Sequence, residues 1–158
     1  MQQTQTVHNG TAPVRIQAGV RQARAIGGWE EFREEGRAFL RTAAAAHDKG
    51  KRAFTPEILY NIVAMAIEKM VMAVLMRQGA MPYNHTMRDL VEAMEQHLPD
   101  AMTPELRNGL LALDHFQDIC ALDSFTVVAP RQEEIPAMLA LAQSLEVLVN
   151  ETIGKGDR

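Results

Sequence analysis

Apolar positions recur along this chain at steps of three and four, the period of a helix, in five separate stretches. The first covers 29–48, where Trp29, Phe32, Gly36, Phe39, Leu40, Ala43 and His47 fall on one stripe. Glu30, Glu31, Glu34 and Glu35 sit near its start, and Arg37, Arg41 and Lys49 toward its end. That order suits the helix dipole, and Gly50 offers a stop. Thr55-Pro56-Glu57 then joins a hydroxyl cap to a proline at the first helical position. The helix it opens, 57–78, is apolar on nearly every face apart from Asn61, Glu68 and Lys69, as befits the buried centre of a helical protein.

A third helix is predicted over 87–98, with Thr86 and Asp89 spaced as a capping box and Pro99 as its stop. Thr103-Pro104-Glu105 repeats the start signal and opens a fourth helix to about 123, with Leu106, Leu110, Leu113 and Cys120 along one side. Residues 124–130 read as an extended connector. A fifth helix follows over 133–153, in which Pro136 is tolerable only in the first turn. Short connectors between amphipathic helices predict an all-α fold, an antiparallel bundle of four to five helices.

Residues 1–27 stand apart as a flexible, basic leader with Arg15, Arg21 and Arg24 and no acid. The remaining 28–158, with 13 basic and 20 acidic residues, carries −7 and is read as a single domain. An acidic body opposes non-specific binding to duplex nucleic acid, which needs many phosphate contacts. Lys49, Lys51 and Arg52 form a local basic cluster, expected to be a solvated loop. With 47% hydrophobic residues the chain can bury a core, and its one cysteine excludes an internal disulfide framework. No basic start precedes an apolar run, so a cytoplasmic location is expected. The Glu68-Lys69 pair inside the most apolar stretch argues against a membrane span.

Little in the sequence fits metal, cofactor or nucleophilic chemistry. His85 and Asp89 are four apart and His115 and Asp118 three apart, but no histidine has the Glu-x-x-His spacing of a carboxylate-bridged site. Cys120 occupies a stripe position, no glycine-rich phosphate loop occurs, and no metal or cofactor is expected. Most of the ten methionines lie between Met65 and Met102, where they suit core packing or a subunit contact. One constellation is more pointed. Arg77 ends the second helix, and His85 and Arg88 flank the start of the third, whose free N–H groups add positive character. Those three, with Lys69 if it faces the same way, form the expected anion-binding site.

The stretch 57–90, EILYNIVAMAIEKMVMAVLMRQGAMPYNHTMRDL, resembles the second and third helices of HEPN domains through Ala66, Glu68, Lys69, Gly79, His85 and Leu90. Phe39, Leu40 and Ala43 of the first helix fit the same pattern, and the likeness extends over about 29–153. The resemblance implies a bundle that often forms homodimers. Members of that family include RNA-cleaving toxins, partners of small nucleotidyltransferases and domains thought to bind nucleotides. Its metal-independent nuclease members carry an arginine, about four to six intervening residues, and then a histidine. Here seven residues separate Arg107 from His115, and each added residue turns a helical side chain by about 100°. The resemblance therefore implies nucleotide or RNA binding without catalysis, the alternatives being a ribonuclease using Arg107 and His115 or a protein-interaction partner.

Overall fold

The computed structural model describes residues 24–117 and 128–155, and the described residues are all-α. Five α-helices follow one another: α1 Trp29–Asp48, α2 Pro56–Arg77, α3 Met87–His97, α4 Pro104–Leu113 and α5 Ile135–Lys155. Single 3-10 turns occupy Pro99–Ala101, Asp114–Gln117 and Gln132–Glu134. Most of the expected leader, 1–23, lies outside the described residues. Its last part does not: Ile26 N–H donates to the Met76 carbonyl at 2.8 Å, which fixes the entry of the chain against the end of α2.

Local chemistry sets the helix starts. Thr55, Thr86 and Thr103 each accept a backbone N–H three residues on, from Ile58, Asp89 and Leu106. Such caps contribute about 1 kcal/mol apiece, and Pro56 and Pro104 occupy first-turn positions where no N–H is needed. α1 has no side-chain cap and begins instead after Gly28, whose φ of 86° places it in the left-handed region that suits glycine. The capping box expected at α3 forms differently. Asp89 accepts from the Thr86 hydroxyl rather than reaching back to a backbone donor. Glu134 does reach back, taking the Arg131 N–H at 2.7 Å and closing the turn that leads into α5.

α2 is the centre of the molecule. Its residues from Met70 to Met76 are all at most 5% exposed, and α1, α3 and α5 pack around it. Burial of each large apolar side chain contributes roughly 1.5–3 kcal/mol, and no polar or charged residue is fully buried among those described. α2 alone among the described helices is long and apolar enough to cross a membrane, and 67% of its most apolar window is buried inside the protein. α1 runs antiparallel along α2, with Trp29 beside Arg77, Phe32 beside Lys69 and Gly36 over Ala66 and Met70. The approach at Gly36 is close: a Cβ there would lie 2.7 Å from Met70 Cγ and 3.0 Å from the Ala66 carbonyl oxygen.

α4 is shorter than its hydrophobic stripe predicts. It ends at Leu113, tightens into a 3-10 turn to Gln117, and the rest of the predicted helix, Cys120 included, lies outside the described residues. Tyr60 supplies a physical reason. Its hydroxyl donates to the Leu113 carbonyl at 3.1 Å, at the point where the α-helix gives way to the 3-10 turn, while its ring packs 5.2 Å from that of Phe116.

Candidate functional site

The residues singled out for anion binding are divided between two places, and each has a partner of its own. Lys69 and Arg77 turn toward α1. Lys69 Nζ lies 2.6 Å from Glu35 Oε2 and 4.1 Å from the centre of the Phe32 ring. The Arg77 guanidinium carbon lies 5.6 Å from the centre of the Trp29 ring, which also has Arg33 at 5.7 Å. These contacts tie the beginning of α1 to the end of α2.

His85 and Arg88 stand at the start of α3. His85 Nδ1 is 2.6 Å from Glu68 Oε1, and because a carboxylate accepts, this ring nitrogen carries the proton. Arg88 Nε is 3.8 Å from Asp114 Oδ2, and the side chain is 70% exposed. The N-terminus of α3 already holds Asp89, so the negative charge its dipole attracts comes from the chain itself. Glu68, Asp89 and Asp114 thus place carboxylates in the corner that sequence spacing marks as cationic.

The nuclease alternative meets a similar arrangement. Arg107 Nε donates to Glu95 at 2.6 Å, and His115 sits edge-on against Phe116 in the 3-10 turn. Among the described residues no group of three or more His, Cys, Asp or Glu could hold a metal ion.

In a different cationic cluster, Lys51 Nζ lies 6.0 Å from the centre of the Phe54 ring. Lys49, Lys51 and Arg52 lie between α1 and α2, and none forms an ion pair among the described residues. Elsewhere Arg33, Arg37, Lys69, Arg107 and Arg131 are all within 3.5 Å of a carboxylate. Beside the cluster is a recess of about 330 Å³ lined by His47, Lys51, Arg52, Phe54, Pro56 and Leu59, with Gln132 on its far side. Its walls follow from the chain: α1 ends at Asp48, Gly50 turns with φ 54°, and Thr55-Pro56 starts α2. Thr55 accepts from the Ile58 N–H at the start of α2. Asp48 and Glu57 are the nearest acids along the chain, and neither lines the recess.

His47 was legible only as part of a helix stripe. Its Nδ1 is buried without a hydrogen-bond partner. The signal for Lys51 and Arg52 was present in the sequence as a basic run. What the sequence lacked was any sign that Lys69, Arg88 and Arg107 would meet carboxylates and these would not.

A larger cleft of about 560 Å³ separates Leu98, Asp100 and Leu106 from the α5 face of Val147, Glu151 and Lys155. It mixes both charges and gathers no like-charged cluster. Comparison with protein families, curated proteins and solved structures returned no match.

Proposed function

We propose that the chain is a HEPN-like antiparallel helical bundle, a single domain over 28–158, that binds a nucleotide or an RNA segment and has no catalysis of its own. The observation that carries this reading is the set of cations with no ion pair among the described residues, Lys51 and Arg52 foremost, around the recess at the start of α2. Cations without acidic partners keep their full attraction for phosphate, whereas those already paired must first give up a carboxylate. The positive end of the 22-residue helix α2 adds to the same field, less what Glu57 in its first turn offsets. A cytoplasmic setting belongs to this reading.

A thermal-shift screen with nucleoside phosphates and a short RNA tests it. Saturation at a hundredfold excess over Kd adds about 2.7 kcal/mol of stability, several degrees for a domain of this size. The double substitution Lys51→Gln with Arg52→Gln is expected to abolish the shift, and Arg88→Ala to leave it. A flat screen rejects the reading.

A second reading draws on the outer face of α2, where Ile58 and Met65 are 42% and 44% exposed and two turns apart. Such a face suits a homodimer contact or a protein partner such as a small nucleotidyltransferase. Light scattering that shows mass near 17.6 kDa throughout the micromolar range rejects the homodimer.

A further inference from the structure

We infer that the recess at the start of α2 takes the terminal phosphoryl group of a phosphomonoester borne on a compact apolar or ring-shaped body, in preference to an internal phosphodiester. The inference rests on the anion-binding reading above and narrows it to a class of ligand. The recess is the first support: residues from the end of α1, the turn at Gly50, the beginning of α2 and Gln132 line it.

Charge and donor type agree. A phosphomonoester carries about −1.5 to −2 near neutral pH and presents three terminal oxygens, against the single charge of a diester. Lys51 and Arg52, which both line the recess, are donors of the right kind for such a head. Phe54, Pro56 and Leu59 give the recess an apolar side on which a ring can rest. A volume of about 330 Å³ is at the lower end of the range for small-molecule sites, roughly 300–1,000 Å³, which suits one ring and one phosphoryl group.

Calorimetric titration of the full chain with phenyl phosphate is the direct test, with phenol, inorganic phosphate and methyl phenyl phosphate as comparisons. Phenyl phosphate is expected to bind at least tenfold more tightly than any of the three. Lys51→Gln and Arg52→Gln, both at exposed positions and expected to fold normally, should each weaken phenyl phosphate at least fivefold and leave phenol unchanged. Equal affinity for methyl phenyl phosphate overturns the monoester inference but keeps the anion site, provided both variants lose it. Phenyl phosphate binding that survives both substitutions overturns the assignment to this recess. Absence of binding by all four compounds overturns the monoester inference. If the nucleoside phosphates and RNA also fail to shift the melting temperature, the broader reading falls with it.

Discussion

Two corners of this molecule contain basic residues beside the start of a helix, and they differ in where the acids are. At the start of α3, His85 faces Glu68, Arg88 faces Asp114, and Asp89 occupies the helix N-terminus. At the start of α2, Lys51 and Arg52 have no acidic partner, and a recess lies beside them. Helix polarity is the same in both. The comparison teaches that the same kind of cationic motif can be met by carboxylates in one corner of a fold and left without them in another.

Both corners depend on the seating of α1 along α2, so the most severe way to disturb the comparison is at Gly36. Gly36→Ala puts a methyl group against Met70 and the Ala66 carbonyl, and should destabilise the fold by about 1–3 kcal/mol. Chemical denaturation would show a lower midpoint. An unchanged midpoint means that the two helices separate more easily than their packing implies.

Next in size is the contrast itself. Replacing Lys51 and Arg52 together by Gln should lower affinity for a nucleotide at least tenfold, about 1.4 kcal/mol, whereas replacing His85 and Arg88 together by Ala should change it less than twofold. Titration calorimetry reads both. The reverse ranking would return the site to the α3 corner.

Asp114 also links the α3 corner to the core. Burial, with Asp114 as a lesser cause, pushes the Tyr60 phenol up to about 12 from its ordinary value near 10. Below pH 10 the tyrosine is neutral in both folded and unfolded chains. Between pH 10 and about 12 the unfolded chain loses the proton and the folded one keeps it, so stability falls across that window, by ~1–2 kcal/mol. Tyr60→Phe should flatten this part of the denaturation profile, although Lys and other groups titrating above pH 10 leave a background slope. A profile identical to that of the parent protein would remove Tyr60 as its cause.

The smallest effect sharpens the comparison most directly. Glu68→Gln with Asp114→Asn releases His85 and Arg88 from their acids and should raise nucleotide or phosphate affinity at the α3 corner about two- to threefold, more at low salt. No change across salt concentrations would show that acid placement is not what separates the corners.

The helices themselves were largely legible. α1 matches its predicted span, the three threonine caps hold the starts expected of α2, α3 and α4, and Pro136 falls in the first turn of α5. These features depend on neighbours within a turn, which the sequence places side by side. The end of α4 was not legible, because the Leu113 carbonyl is taken by Tyr60, 53 residues earlier in the chain. Nor could spacing reveal that Lys69 pairs with Glu35 or Arg37 with Glu146, since both pairs form across helices.

The sequence by itself determined the all-α character, the apolar core of α2 and most helix boundaries, because helix period and capping are local properties. Tertiary structure decided which charges cancel. Coulomb attraction and hydrogen bonding act through space, so the same residue type is neutralised at Lys69 and left open at Lys51 according to which helix lies beside it.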